Sequence, residues 1–308
     1  MIVVRTPDEI KETEGLVATI GFFDGVHRGH RRLIEQMQDI ARQRRLPSAV
    51  VTFPQHPRIA LHADYQPKLL NSFPEKLTHL ATTGIDYCIV LDFTEALSRL
   101  TAEDFITTVL ARRWNVKTLL IGYDHRFGRD RADGFQQYAA YAQACGMDVV
   151  QATPFVEDEV AVSSSEVRKQ LTAGYVEQAA RLLAYPYQLK GQIVHGNHIG
   201  RTLGFPTANI RIDEPKKILP PEGVYAVEVT LDDKTYKGML YNGRRPTLDG
   251  DGGQMRIEVH IFDFAGDIYA RPISVAFLRY IRADIRFRSL EELKEQLERD
   301  KDAILANA

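Results

Sequence analysis

Apolar positions in the first 184 residues keep two rhythms in alternation. Short apolar or β-branched runs at 16–20, 49–53, 87–93, 116–123 and 148–152 lack polar alternation, as expected of strands covered on both faces. Between them apolar residues recur every three or four positions: Leu33, Ile34, Met37, Ile40 and Ala41 after the first run, then the stretches 74–83, 102–114 and 135–145. Thr101 with Asp104 three residues on reads as a helix cap, and Gly146 as a helix stop. Strands separated by helices of this length pair in parallel through right-handed crossovers. The pattern predicts an α/β domain with a doubly wound parallel sheet, whose ligands gather at the carboxyl ends of strands.

From about Gly191 the rhythm becomes two-fold. GVYAVEVTL, KTYKGMLY, MRIEVHIFDF and ISVAFLRYI are joined by turn-rich pieces (DD, NGRRP, DGDGG), which predicts a small antiparallel β-barrel. Alternation over 256–261 puts Glu258 and His260 on one face and Val259 and Ile261 on the other. Ser289 and Glu292 form a capping box before a terminal helix whose expected inner stripe is Leu290, Leu293, Leu297 and Ile304. The change of rhythm at 185–190 divides the chain into expected domains 1–184 and 185–308, with no internal repeat.

Composition narrows the chemistry. The chain has 308 residues, 44% apolar and 26% charged, enough for two cores of ordinary globular type. A net charge of −2 leaves no electrostatic footprint for duplex nucleic acid, so no nucleic-acid partner is expected. Arginines 28, 31, 32, 42, 44 and 45 read as a solvated helix face whose first members lie close enough to a helix start to meet a phosphate. No apolar run approaches a bilayer span and no charged-then-apolar leader precedes Val3, so a cytoplasmic location without membrane contact is expected. Cys88 and Cys145 lack metal spacing and read as buried thiols rather than a disulfide or zinc site.

Candidate chemistry concentrates at GFFDGVHRGH, residues 21–30, where a strand passes into a helix. A helix amino terminus carries unpaired N–H groups and partial positive charge, and so attracts anions. Gly21, Gly25 and Gly29 permit close backbone approach. His27 and His30, three apart at the first turn, aim the same way and suit a phosphoryl group that gains charge in its transition state. Asp24 suits a magnesium ion or a ligand hydroxyl.

On these residues the N-terminal part resembles the nucleotidylyltransferase superfamily, whose H-x-G-H motif is HRGH here, at 27–30. VSSSEVR, at 162–168, resembles its second signature, which implies that Ser164, Ser165 and Arg168 hold the leaving phosphates of a nucleotide. GRTLGFPTAN, at 200–209, resembles the flavokinase signature: Gly200 and Gly204 form a flap, and Thr207 and Asn209 hold magnesium and nucleotide phosphates. PPEGVYA, RPT, IEVHIFDF, DIYA and IRADIRF follow in that family's order. From about residue 15 to about 305 the chain thus resembles the bacterial bifunctional riboflavin kinase/FMN adenylyltransferase family.

The resemblance implies that the barrel phosphorylates riboflavin with ATP and that the N-terminal domain adenylylates the FMN formed, giving FAD. It implies Glu258 as the base for the kinase step, His27 and His30 for charge on the α-phosphoryl group, and Gly21, Asp24 and Gly25 on the nucleotide, with Asp24 on its ribose or a metal. VTFPQHP and GYDHRFG resemble flavin-side loops, implying Phe53, Pro54, Asp124 and Phe127 as flavin contacts, with Arg282 beside the flavin of the barrel. The alternative is a monofunctional riboflavin kinase whose N-terminal domain is inactive or serves another acceptor. Departures from the family pattern are Phe22 where asparagine is common, His125 for phenylalanine, Tyr241 and Asn242 for asparagine and an aliphatic residue, and Asp284 for glutamate.

Overall fold

The computed structural model describes the chain apart from residues 12–13, 57–58, 60–65, 124–125, 130–131, 154–155, 158–159, 196–199, 201–202, 245–254 and 307–308. Its backbone separates into two compact units, Met1–Ser163 and Ser164–Ala308.

The first unit is the expected parallel sheet. Strands β1 (Ile2–Val4), β2 (Leu16–Ile20), β3 (Ser48–Thr52), β4 (Tyr87–Val90), β5 (Val116–Ile121) and β6 (Asp148–Gln151) lie in the order β1-β4-β3-β2-β5-β6, and every neighbour pair is parallel. The edge strand β1 is an addition to the sequence reading: three residues, two of them exposed, leave no run to detect. A short antiparallel pair, β7 (Val156–Glu157) and β8 (Val160–Ala161), closes the unit.

Several helices start where a side chain accepts one of their free N–H groups. Helix α1 (Arg28–Arg44) is capped by His27 and buries Ile34, Met37 and Ala41. Helix α2 (Phe73–Ala81) opens on a Ser72–Glu75 capping box, worth about 1 kcal/mol. The helix expected over 102–114 is capped by Thr101 as anticipated, but only Ala102–Asp104 (α3) is α-helical; Phe105–Arg113 winds as a π-helix. Thr107 and Thr108 donate their hydroxyls to the carbonyls of Glu103 and Asp104 at 2.9 and 2.5 Å. That competition for i−4 carbonyls favours the wider winding. A four-residue helix, Glu95–Ser98, capped by Thr94, precedes α3, and helix α4 (Phe135–Ala144) follows β5. Cys88 is buried and Cys145 partly so, both free thiols; burial pushes the Cys88 thiol up to about 11.

The second unit begins with α5 (Ser164–Thr172) and α6 (Val176–Leu183). The unit division falls ahead of the change of rhythm because α6 packs on a barrel strand. Strands β9 (Gln188–Val194), β10 (Ala208–Ile212), β11 (Gly223–Leu231), β12 (Lys234–Arg244), β13 (Met255–Ile261) and β14 (Pro272–Arg282) close an antiparallel barrel in the order β10-β13-β12-β11-β14-β9. The β11–β12 hairpin turns on Asp232 and Asp233, both at positive φ (44° and 62°), as a two-residue turn with right-handed twist requires.

Helix α7 (Leu290–Leu305) lies on the outer face of the barrel, where Leu297 and Ile304 meet Val224, Ala226 and Met239. The expected stripe needs one correction. Leu290 is 54% exposed, and the buried position is taken by Asp300, whose carboxylate receives Arg282 Nε at 3.0 and 2.9 Å and the Gln296 amide at 2.8 Å. Asp300 is 3% exposed and Arg282 18%, so little water screens the pair. Asp300→Asn is expected to weaken the docking of α7 by roughly 3 kcal/mol, read as faster amide hydrogen exchange across the helix; exchange equal to the parent would remove the pair from this account.

Candidate functional site

In the first unit β3 and β4 lie on one side of β2, and β5 and β6 on the other. The carboxyl ends of β2 and β5 are therefore the point where strand order reverses, and residues 21–27 leave the sheet there. The Gly21 N–H donates to Val51 O at 3.1 Å, after which Phe23, Gly25 and Val26 adopt φ of 55°, 84° and 38°. Positive φ is an outlier for a β-branched residue and costs about 1–3 kcal/mol per non-glycine position. Phe23 and Val26 are both buried against Val17, Ile34 and Met37, and burial of that size, roughly 1.5–3 kcal/mol each, offsets it.

The turn delivers His27 to the cap of α1. Its Nδ1 accepts the His30 backbone N–H at 3.3 Å, which leaves the proton of a neutral ring on Nε2. The two imidazoles stack, centroids 3.6 Å apart and 20° from parallel, with Phe23 edge-on to His30 at 5.0 Å. His27 is only 4% exposed, while His30 keeps partial exposure. Gly29 is required by the chain itself: a Cβ there would stand 2.8 Å from Val162 O and 3.2 Å from the His27 ring.

Asp24, expected at a ribose or metal, is buried, and its carboxylate accepts the Leu70 N–H (3.1 Å to each oxygen) and the Asn71 N–H (3.2 Å). Sequence reasoning missed Lys76, which is 2% exposed. Its Nζ donates to Phe53 O at 2.7 Å, Phe22 O at 2.9 Å and Thr52 Oγ1 at 3.4 Å, and lies 3.9 Å from the Phe22 ring centroid. The available signal was its spacing: Lys76 stands three after Phe73 and four before Leu80, on the apolar stripe of α2.

Among the flavin-side candidates, Phe53 is buried edge-on to Phe93 and Pro54 is half-buried. Phe127 stacks on Tyr138 at 4.3 Å and meets Phe105 at 5.7 Å; Asp124 and His125 lie outside the described residues. Phe22 presents its ring to His56 at 4.7 Å. Ser164, Ser165 and Arg168 lie on the first turns of α5, in the second unit.

The barrel gathers Thr207, Asn209 and Glu258. Glu258 is directly opposite Asn209 and Tyr241 in the strand register, so all three share one face, and Thr207 Oγ1 donates to Glu258 Oε2 at 3.3 Å. His260, two residues on, shares that face as the alternation predicted. Its Nδ1–H donates to Pro206 O at 2.7 Å, and its ring lies between Phe205 and Phe262. Burial and, less strongly, the charge of Lys301 lower its pKa, against the opposing pull of the Pro206 bond. Gly200, expected in a flap, accepts the Leu203 and Phe205 N–H groups at 3.2 and 2.8 Å; a Cβ at Gly200 would stand 2.2 Å from Phe205 O. Gly204 has φ 83°. Arg282, expected beside a flavin, makes its ion pair with Asp300. Asn242 is buried with its amide donating to Pro220 O at 2.6 Å. Among the described residues no cluster of three His, Cys, Asp or Glu suits a metal ion.

A family model described as FAD synthetase matches residues 9–166, and one described as riboflavin kinase matches residues 183–307. The chain is 40% identical to the bifunctional riboflavin kinase/FMN adenylyltransferase of Escherichia coli K12 over 289 residues, 94% of this chain and 91% of that protein. The proteins of the same name from Haemophilus influenzae and Bacillus subtilis are 36% and 34% identical, each covering 95% of this chain and 94% and 92% of their own length. A crystal structure described as a macrolide-efflux protein from Streptococcus pneumoniae superposes with a TM-score of 0.88 at 32% identity, covering 98% of both chains. Among the described residues of this chain no helix is long and apolar enough to cross a membrane.

Burial lowers the Lys76 pKa from 10.5 to about 7, against the opposing charge of Asp24. Between those values the unfolded chain holds a proton that the folded one lacks, so this group makes stability rise with pH, by up to about 1.4 kcal/mol per unit. Urea unfolding of the first unit at pH 7, 8 and 9 is expected to show a slope that Lys76→Met abolishes; identical slopes would mean the lysine is not buried as described.

Proposed function

Because the chain belongs to the bifunctional riboflavin kinase/FMN adenylyltransferase family, we propose that it makes FAD from riboflavin in two ATP-consuming steps. The observation that carries this reading is the match of both halves to their separate family models in a chain that covers 91% of a bifunctional relative; it favours the two-step reading over a kinase alone. The functional division proposed is 1–184 for adenylyl transfer and 185–308 for the kinase. The molecule is proposed to act in the cytoplasm on small molecules, without a nucleic-acid partner.

In the first step the primary hydroxyl of riboflavin attacks the γ-phosphorus of ATP, Glu258 takes its proton, and ADP leaves. Glu258 suits the role because it is 6% exposed and already accepts a hydroxyl hydrogen bond from Thr207. Thr207 and Asn209 offer oxygen donors of the kind a hard cation accepts, so they fit Mg²⁺, which when bound would supply charge neutralisation at the phosphates. Gly200 and Gly204 shape the flap over those phosphates, and Arg282, fixed by Asp300, stands on the flavin side.

In the second step an oxygen of the FMN phosphate attacks the α-phosphorus of a second ATP, and pyrophosphate leaves with no covalent enzyme intermediate. His27 Nε2–H, His30 and the α1 terminus stabilise the charge on the α-phosphoryl group. Gly21 and Gly25 shape the turn around the nucleotide, and Asp24, whose carboxylate accepts the Leu70 and Asn71 N–H groups, is assigned to the ribose or a metal. Ser164, Ser165 and Arg168 take the leaving phosphates. Phe53, Pro54 and Phe127 are assigned to flavin contact, as is Asp124, which lies outside the described residues.

Incubation with riboflavin, ATP and Mg²⁺ is expected to yield FMN and then FAD on chromatography; a chain that forms neither would refute the reading. Glu258→Gln is expected to slow FMN formation about 10²–10⁴-fold while FAD still forms from supplied FMN, and unimpaired phosphorylation would remove Glu258 as the base. His30→Ala is expected to do the reverse, stopping the products at FMN.

A further inference from the structure

Adenylyl transfer as proposed requires residues 21–27 and the loop after β3 to keep fixed positions, since a displacement of about 1 Å can cost 10²-fold in rate. Helix α2 and the residues leading into it hold that region at two points. The Asp24 carboxylate of the turn is bonded to the Leu70 and Asn71 N–H groups just ahead of α2. Within α2, Lys76 spends its three donors on Phe22 O, Thr52 Oγ1 and Phe53 O. Phe22 opens the turn that leads to the histidines, and Phe53 opens the loop carrying flavin-side candidates. The ammonium is too deeply buried to touch substrate, and neither proposed step uses it.

We propose that Lys76 is a positioning residue for adenylyl transfer, its ammonium pinning the phosphate-side turn to the flavin-side strand end through the carbonyls of Phe22 and Phe53. This rests on the reading of the first unit as an FMN adenylyltransferase. Asp24 faces the ammonium from the turn and Cys88 from β4; His56 meets Phe22 from the loop after β3, and Glu75 on α2 itself is bonded to the Ser72 N–H. With a pKa of about 7, the pin loses a proton, and with it one donor and the attraction to the Phe22 ring, as pH rises.

Lys76→Met keeps the length of the stem and removes the ammonium. Trp114, the single tryptophan, is buried in the first unit, so its fluorescence reports the folding of that unit, while riboflavin phosphorylation reports the second. The expected result is a kcat for FMN plus ATP lowered about 10–100-fold, with KM for both substrates, Trp114 emission and riboflavin phosphorylation unchanged. The ratio of parent to variant kcat is expected to shrink between about pH 6 and pH 9, as the parent loses its proton. Should Lys76→Met fail to fold, Lys76→Gln, which keeps two N–H donors without charge, is expected to give an intermediate kcat. A folded variant with parental kcat at every pH would overturn the proposal, as would a loss that only follows Trp114 unfolding. If the parent itself forms no FAD from FMN, the functional reading falls, and this proposal with it.

Discussion

The first site depends on a backbone that residues 21–27 would not hold by themselves. Phe23 and Val26 pay a conformational cost at positive φ, and the turn persists because the same two side chains are sealed into the core between the sheet and α1. Strain and burial are thus coupled in one segment. Its last residue, His27, is both the cap of α1 and a member of the histidine pair. A shift in the turn would therefore move the helix terminus and both imidazoles together.

The barrel meets a comparable demand with strand register instead of a strained turn. Asn209 and Glu258 are held opposite each other by the ladder between β10 and β13, and the loop carrying Thr207 is tethered by the bond from His260 to Pro206 O. Because His260 lies two residues beyond Glu258, the carboxylate and the tether share one strand face. The packed interior, with Tyr225, Leu240, Val259 and Phe277 buried, keeps that strand rigid. Helix α7 is fixed to β14 by Arg282 and Asp300, which gives the arginine a structural task in addition to any contact with flavin.

Periodicity and motifs made much of this visible in advance. The parallel strands, the capped helices, the barrel and the shared face of Glu258 and His260 follow from spacing that each element repeats several times. The missing features are those where one residue acts against its type or where the partner is far along the chain. Lys76 occupies an apolar position because carbonyls from two strand ends surround it, and nothing near residue 76 in the sequence encodes them. Asp300 is buried because Arg282 meets it, eighteen residues upstream. The π-helix arises from hydroxyls competing for carbonyls within a stretch whose apolar spacing reads as an α-helix. Asp24 was identified as important, but the N–H groups that engage it lie 46 and 47 residues away.

The central claim is that the strained turn presents His27, His30 and the start of α1 to the α-phosphate of ATP. A crystal structure of the chain with FMN and α,β-methylene ATP tests it directly. The account predicts α-phosphate oxygens within about 3 Å of His27 Nε2 and of the first N–H groups of α1, with the turn unchanged. A nucleotide bound in the first unit with its α-phosphate away from both histidines would contradict it.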